Sequence, residues 1–295
     1  MLYMEIRQLE YFRAVCGLNS ISKAAEQLHV AQPSVSIAIQ KLEEELGVML
    51  FDRTQRQISL TEEGKIFSQR VSDILLQIGD SVNEIKDLRF CQSGTIKIGI
   101  PPMIGVFLFP HIFARFRKRY PDIMLIAVEA GSLSIQKLLE DGNIDVGIIT
   151  QNSSCSALDV QPITSVQIRV CLPQDHSLSG LASIPFAKLE GEPFILFKED
   201  TYSREIIVKE CRRHNFKPDI VFVSSQIDTI ISLVELGVGI SFIFDVIAKK
   251  HSAINCLPLE ESLTAPIVLA WNRKRYLNSA SRIFIEFINS IKPNF

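Results

Sequence analysis

Apolar residues recur at helical spacing twice between residues 21 and 46, with a short interruption between the two series. The first series consists of Ile21, Ala24, Ala25 and Leu28, and the second consists of Val35, Ala38, Ile39 and Leu42. Intervals of three and four residues are typical of amphipathic helices. Because only a tight turn at His29–Val30–Ala31 separates the series, the pattern predicts a helix-turn-helix. Two amphipathic helices joined by a tight turn for any other purpose would give similar spacing.

The second predicted helix opens with residues suited to contact DNA. Pro33 lies in its first turn, where the missing N–H costs nothing. Gln32, Ser34 and Ser36 place polar side chains at the helix N-terminus, which is the end that a recognition helix presents to the major groove. The acidic residues Glu43–Glu45 fall near the far end of the same helix, away from that start.

A predicted hairpin follows the second helix. Leu50-Phe51 and Ile58-Ser59-Leu60 read as short extended segments around a polar turn, which predicts the wing of a winged helix-turn-helix. Arg53 and Arg56 lie in that turn, where a wing would meet phosphate oxygens. Thr61 is a candidate N-cap for the next helix.

Residues 7 to 64 closely resemble the N-terminal domain of LysR-type transcriptional regulators. The resemblance is most specific in AAEQLHVAQPSVS, LEEELGVMLFDRT and LTEEG, and it covers the whole chain in outline. It implies a sequence-specific DNA-binding regulator whose activity a small-molecule effector modulates. Two positions depart from the family pattern. Ala31 stands where a serine is more usual, and Ile37 stands where an arginine commonly approaches DNA, which puts that contact in doubt.

A long helical pattern without proline occupies residues 62 to 90. Its apolar stripe comes close to a coiled-coil seam and consists of Phe67, Val71, Ile74, Ile78, Val82, Ile85 and Leu88. The stripe could pack on its own domain or pair with a second copy of the chain. The resemblance implies pairing, in a dimer or tetramer, so that two helix-turn-helix domains meet a two-fold-related DNA site.

Strand-like and helical segments alternate from residue 92 onward, which predicts a mainly parallel α/β sheet in two lobes. The resemblance implies a periplasmic-binding-protein-like effector domain. The predicted fold is therefore an α/β multidomain chain with a winged helix-turn-helix at residues 1–61, a dimerising linker helix at 62–91 and an effector-binding domain at 92–295. Lobe I is expected at about 92–163 and 267–295, and lobe II at about 164–266.

Several turns that follow predicted strands and open helices are candidates for the effector site. Ligands of open α/β sheets bind beyond the carboxyl ends of strands, at helix N-termini that favour anions. The expected site residues, at positions that line the cleft in proteins this chain resembles, are Pro101, Pro102, Met103, Gly131, Ser132, Thr201, Tyr202 and Gln226. The resemblance suggests a small organic anion as the effector. Ordinary helix capping is the alternative explanation for the serine, threonine and amide side chains.

Composition limits the other function classes. The 295 residues are 47% hydrophobic and carry a net charge of −2, so DNA binding driven by phosphate neutralisation should be modest and salt-sensitive. Six single cysteines without metal-ligand spacing suggest buried or idle thiols. The absence of a membrane-span pattern and of a signal core favours the cytoplasm.

An enzyme and a solute-binding protein are the competing functional interpretations. The sequence has no GxSxG, HExxH or phosphate loop, and its five histidines are dispersed, so no catalytic site, cofactor or metal is expected. A two-lobed solute-binding protein would lack the N-terminal third. The expected partners are double-stranded operator or promoter DNA, a small-molecule effector, further copies of the chain and, as a candidate, RNA polymerase, but no membrane.

Overall fold

The structure is a computed structural model that describes residues 4–52, 58–87, 94–151 and 157–291. The chain divides into two compact units, Met1–Lys86 and Asp87–Phe295. None of the helices within the described ranges is long and apolar enough to cross a membrane.

Four helices and a short hairpin build the first unit. The helices are α1 (Ile6–Leu18), α2 (Ile21–Gln27), α3 (Gln32–Leu46) and α4 (Glu62–Asp87), the last of which ends at the boundary with the second unit. The hairpin strands are β1 (Phe51–Asp52) and β2 (Ser59–Leu60), which pair antiparallel.

The predicted helix-turn-helix is confirmed as α2 and α3. Ser20 caps α2 by accepting a hydrogen bond from the Lys23 N–H. Ala24 and Ala25 are buried in the core that α2 shares with α1 and α3. Their small side chains let neighbouring helices approach closely. His29 adopts the left-handed backbone conformation, with φ of 54°, and this reverses the chain between the helices.

The core of the first unit is formed by the apolar faces of the helices and the start of the hairpin. Val35, Ile39 and Leu42 of α3 are fully buried. The Phe12 ring of α1 lies 5.3 Å from the ring of Phe51 and 5.2 Å from the ring of Phe67. The aromatic cluster therefore joins α1, the hairpin and the first turns of α4.

The stripe on α4 changes its environment along the helix. Val71 is fully buried against the core of the first unit, whereas Ile74, Val82 and Ile85 are 43%, 48% and 63% exposed. Packing on its own domain therefore accounts for the first part of the stripe only.

The second unit alternates strands and helices. Its strands are β3 (Gly94–Ile100), β4 (Ile123–Glu129), β5 (Val146–Thr150), β6 (Leu158–Leu172), β7 (Pro193–Phe197), β8 (Asp219–Ser224), β9 (Ser241–Phe244) and β10 (Asn255–Asn272). Its helices are α5 (Pro102–Phe107), α6 (Phe109–Arg119), α7 (Ser132–Glu140), α8 (Tyr202–Arg213), α9 (Ile227–Glu235), α10 (Asp245–Ala248) and α11 (Ser279–Ile291).

The main sheet has six strands in the order β4-β3-β5-β10-β6-β9, and β7 and β8 form a separate two-stranded sheet. Pairing is parallel for β3 with β4 and β5 and for β7 with β8. In the main sheet, β10 pairs antiparallel with β5 and β6, and β6 pairs antiparallel with β9. The sequence prediction of a mainly parallel sheet is therefore correct for β3, β4 and β5 and for the β7–β8 pair, and wrong for β10, β6 and β9.

The central ribbon joins the two lobes. β10 and β6 pair from Asn255↔Leu172 to Asn272↔Leu158. At one end β10 also pairs with β5, and at the other end β6 pairs with β9. We call the part containing β3, β4, β5 and α5–α7 the first lobe, and the part containing β7, β8, α8 and α9 the second lobe. This arrangement brings the helix N-termini of both lobes to one cleft.

Candidate functional site

The start of α3 exposes polar side chains, as the sequence predicts. Gln32, Pro33 and Ser34 are exposed, and Ser36 is half-buried. Ala31 occupies the N-cap position without a side-chain cap, and its carbonyl accepts a hydrogen bond from the Ser34 N–H. The polar groups at this end are therefore available to a partner rather than used to close the helix.

A groove of about 470 Å³ runs along the outer face of α3 beside α1. Ile37, which is 54% exposed, lines it together with Ser34. Arg7 and Lys41 bring two cations to the same groove, and the Arg7 Nε donates a hydrogen bond of 2.7 Å to the Tyr11 hydroxyl. Sequence reasoning missed Arg7 because it lies on a different helix, 30 residues from Ile37 in the chain.

The hairpin is anchored by a buried carboxylate. Glu43 is only 5% exposed, and its Oε1 accepts hydrogen bonds from the backbone N–H groups of Leu50 (2.8 Å) and Phe51 (3.1 Å). Glu43 therefore stabilises the hairpin from within the fold, a role that the sequence did not indicate. Arg53 and Arg56, the predicted phosphate contacts of the wing, lie outside the described residues.

The motif that opens α4 secures the other side of the hairpin. The Thr61 hydroxyl donates to the Met49 carbonyl and accepts from the Gly64 N–H, so Thr61 caps the helix as predicted. A Cβ atom on Gly64 would lie 2.0 Å from the Leu50 carbonyl oxygen. Only glycine permits this approach.

A cavity of about 780 Å³ lies within the second unit, between the two lobes. The predicted residues that line it are Pro101, Pro102, Gly131, Thr201 and Gln226. Its volume is within the range of small-molecule sites. We call it the cleft.

The other three predicted residues lie beside the cleft rather than along it. Met103, Ser132 and Tyr202 line an adjoining cavity of only about 20 Å³. Ser132 is buried, and its Oγ accepts a hydrogen bond from the Thr150 N–H. The Tyr202 hydroxyl donates to the Thr264 carbonyl, and burial, followed by the charge of Glu205, raises the pKa of the Tyr202 phenol.

Helix capping occupies part of the polar groups that do line the cleft. Thr201 caps α8, accepting from the Arg204 N–H, and its hydroxyl donates to the Lys198 carbonyl. Gln226 stands at the N-cap of α9 without capping it through its side chain, and its Oε1 accepts from the Thr229 hydroxyl. Thr201 is thus mainly a cap, whereas Gln226 is exposed to the cleft.

Asp200 joins the two lobes at one edge of the cleft. Its Oδ2 accepts a hydrogen bond of 2.8 Å from the Gly131 N–H, and its carbonyl accepts one of 3.0 Å from the Leu133 N–H. A Cβ atom on Gly131 would lie 2.1 Å from the Asp200 carbonyl oxygen. The N-terminus of α7, where an anion would be favoured, is therefore already occupied by the chain's own carboxylate.

Acidic residues outnumber basic ones in the lining of the cleft. Glu129, Asp200 and Asp228 line it, against Lys198 as the one lysine or arginine in the described lining. Asp228 lies in the first turn of α9, and Glu129 ends β4. Sequence reasoning missed both acids because it selected hydroxyl and amide groups, although the same rule of strand ends and helix starts would have found them.

A second cluster of ionisable groups lies away from the cleft, where α8 ends. Ligand atoms of Glu210, His214 and Glu261 lie within 4.8 Å of one another. Arg213 pairs with both carboxylates, at 3.3 Å from Glu210 and 2.8 Å from Glu261. The cluster is therefore an ion-pair network whose positive charge the chain supplies.

Two family models match the chain and together cover most of it. The bacterial regulatory helix-turn-helix protein, lysR family, matches residues 6–65, and the LysR substrate binding domain matches residues 92–291.

Full-length relatives agree with these matches. The chain is 32% identical to the HTH-type transcriptional regulators YwbI (over 290 residues) and AlsR (over 297 residues) of Bacillus subtilis strain 168, covering 97% of this chain and 96% of each relative. The structure is similar to that of full-length OxyR from Pseudomonas aeruginosa, with a TM-score of 0.60, 25% identity and coverage of 97% of this chain and 100% of that one. The chain therefore belongs to the LysR family, whose members are DNA-binding transcriptional regulators with an effector-binding domain rather than enzymes.

Proposed function

We propose that this regulator reads operator DNA with the N-terminal end of α3 and responds to a small organic acid that also carries a cationic group, bound in the cleft. The charged residues that line the cleft are the main support for this class of ligand. The cleft combines one lysine with three carboxylates and lies between two lobes that a ligand could draw together.

The exposed start of α3 supports the DNA contacts. Gln32, Ser34 and Ser36 would contact base edges or phosphates, with Pro33 setting the start of the helix. Arg53 and Arg56 would hold the phosphate backbone from the wing. Arg7 would supply a cation beside Ile37, where the family pattern more often has arginine.

The exposed part of the stripe on α4 supports pairing of two chains. Ile74, Val82 and Ile85 place apolar surface at helical spacing beyond the core of the first unit. Burial of such a stripe against a second copy is favourable. The pairing would bring two recognition helices to neighbouring half-sites, in a dimer or a tetramer.

The donors around the cleft argue against a ligand that carries negative charge only. Pro101 and Pro102 open α5 without an N–H to offer, Asp200 occupies the start of α7, and Asp228 lies at the start of α9. Lys198 is then the charged donor for a ligand carboxylate. Glu129 and Asp228 would attract an ammonium or guanidinium group, as in an amino acid.

Binding of such a ligand could change DNA binding through the position of the lobes. A ligand shifts an equilibrium only if it binds two states with different affinity. Contacts to Lys198 in the second lobe and Glu129 in the first would favour the closed cleft that Asp200 already bridges. The regulator would act in the cytoplasm, where the bacterial chromosome lies, and RNA polymerase is a candidate partner at the promoter.

A matched ligand series tests the proposed effector class. The unfolding midpoint of the effector domain can be followed through Trp271, which is the only tryptophan of the chain. Amino acids are expected to raise the midpoint more than the corresponding carboxylic acids without the amine. Stabilisation by the amine-free acids alone would overturn the proposed ligand class.

The variant Asp228→Asn sharpens this test. It should weaken the preference for the amine-bearing member of each pair, since it removes one of the two carboxylates that would face the cation. Glu235→Gln, on the exposed last turn of the same helix, is the matched control and should retain that preference.

A further inference from the structure

Two cysteines face each other across neighbouring strands of the central ribbon. Cys171 on β6 and Cys256 on β10 are register partners, and their Sγ atoms lie 2.7 Å apart. Both are free thiols. Residues directly opposite on antiparallel strands have Cα atoms about 4.5 to 5.5 Å apart, which lies within the span of a disulfide. A bond between these sulfurs therefore needs no rearrangement of the ladder.

The two thiols differ in their access to solvent. Cys171 is 1% exposed, whereas Cys256 is half-buried. Burial, followed by the neighbouring Cys256 thiol, raises the pKa of the Cys171 thiol well above its ordinary value. Because the thiolate is the nucleophile, Cys256 is the sulfur that a reagent from solution meets first, and Cys171 is placed to react second.

We propose that Cys171 and Cys256 form a reversible disulfide on exposure to a low-molecular-weight disulfide, which gives the effector domain a redox modification site separate from its cleft. Neither cysteine lines the cleft or its adjoining cavity. The other described cysteines, Cys16 and Cys211, offer a contrast, because both are free thiols that do not pair with a second described cysteine.

The reaction is an exchange of two thiols for one disulfide. The Cys256 thiolate attacks one sulfur of the small disulfide, which forms a mixed disulfide and releases one small thiol. The Cys171 sulfur then attacks the Sγ of Cys256, and the second small thiol leaves. The two protein thiols lose two electrons and two protons, and the small disulfide gains them as two thiols.

The bridge would fasten the part of the ribbon that runs into the second lobe. The cysteines are separated by 85 positions in the chain, and β7, β8, α8 and α9 lie within that loop. Closing a long loop restricts the unfolded chain. The oxidised effector domain should therefore unfold at a higher temperature than the reduced one, and a reductant should reverse the change.

The test is equilibration of the full-length protein with mixtures of reduced and oxidised glutathione, followed by acid quenching, alkylation of free thiols and peptide mapping. We expect a linked peptide pair containing Cys171 and Cys256, which appears in one two-electron transition and disappears on reduction. Two results would overturn the proposal: both thiols still alkylated at the most oxidising mixture, or a glutathione adduct that remains on Cys256 of the wild-type chain.

Variants identify the role of each sulfur. In Cys171→Ala the reaction should stop at the glutathione adduct on Cys256, because the second thiol is missing. Cys211→Ser, which removes a buried thiol of the second lobe, should show the wild-type transition. A chain with Cys91→Ser and Cys155→Ser should also retain it. Loss of the linked pair in that last chain would assign the reaction to other cysteines and contradict the proposal. Trp271 fluorescence checks that each variant remains folded. If a variant does not fold, the peptide mapping of the wild-type chain still tests the proposal.

Discussion

The DNA-binding unit and the effector cleft differ in the sequence separation between the partners of their polar contacts. In the first unit, Glu43 accepts from the backbone of Leu50, seven residues away. In the cleft, Asp200 accepts from Gly131, 69 residues away. A contact between near neighbours leaves a continuous motif in the sequence, whereas a contact between distant segments does not. The helix-turn-helix can therefore be predicted from the sequence. The polar contacts of the cleft are much harder to predict.

Loss of the buried carboxylate should break the first unit and spare the second. Glu43→Ala leaves the N–H groups of Leu50 and Phe51 without their acceptor, at a cost of about 2 to 4 kcal/mol. Circular dichroism should show an early unfolding transition, while the fluorescence transition of Trp271 in the second unit stays in place. Glu44→Ala, at an exposed position of the same helix, is the control and should unfold like the wild type. Coincident shifts in both signals would contradict the independence of the two units.

The converse experiment breaks the cleft and spares the first unit. Gly131→Ala places a Cβ atom 2.1 Å from the Asp200 carbonyl oxygen, which should destabilise the effector domain by about 2 kcal/mol. The Trp271 transition should fall in temperature, and affinity for a scrambled DNA duplex should be retained. At Gly180 a Cβ atom would meet no atom within 4 Å, so Gly180→Ala should have little effect. An unchanged transition in Gly131→Ala would mean that the lobes do not depend on the contact with Asp200.

Substitutions at the start of α3 and in the wing should have different effects on sequence specificity and on overall affinity for DNA. Gln32→Ala should cost about 1 to 3 kcal/mol of discrimination between operator and scrambled DNA. Arg53→Ala should weaken both by a similar factor, because phosphate contacts carry no direct sequence information. Fluorescence anisotropy with both duplexes measures the two effects. Equal operator affinities of the wild type and Gln32→Ala would remove Gln32 from the recognition surface.

The smallest expected effect comes from restoring the usual family residue. Ile37→Arg adds a cation to the exposed face of α3, so the dependence of log affinity on log salt should steepen by about one unit. Arg7→Ala should make it shallower by about the same amount if Arg7 contacts a phosphate. An unchanged slope in both variants would show that this groove lies away from the DNA backbone.

The parts of the fold that were predicted correctly depend on short-range periodicity. The α2–α3 pair, for example, follows directly from apolar spacing. The first half of β10 has no clear strand pattern, because its residues 255–266 mix prolines and acids with apolar positions. Its extended form is fixed by the ladder with β6, which is a tertiary contact. That ladder also explains why a mainly parallel sheet was predicted and a mixed one is found.

The residues of the cleft also differ in whether they could be predicted from the sequence. Gly131 and Gln226 were found because they stand at helix starts that follow strands. The bridge from Asp200 to Gly131 could not be found, since nothing in the sequence indicates which of several acids reaches across the lobes. The pairing of Cys171 with Cys256 was equally hidden, because it depends on strand register rather than on spacing.

Helix α3 should recognise a specific DNA sequence even though the chain carries a net charge of −2. The most direct test is to select duplexes from a random DNA pool with the full-length protein, and then to titrate a selected and a scrambled duplex by fluorescence anisotropy across a salt series. We expect a clear preference for the selected duplex that persists as salt weakens both complexes. A pool that remains random, or equal affinity for both duplexes at every salt concentration, would contradict this expectation.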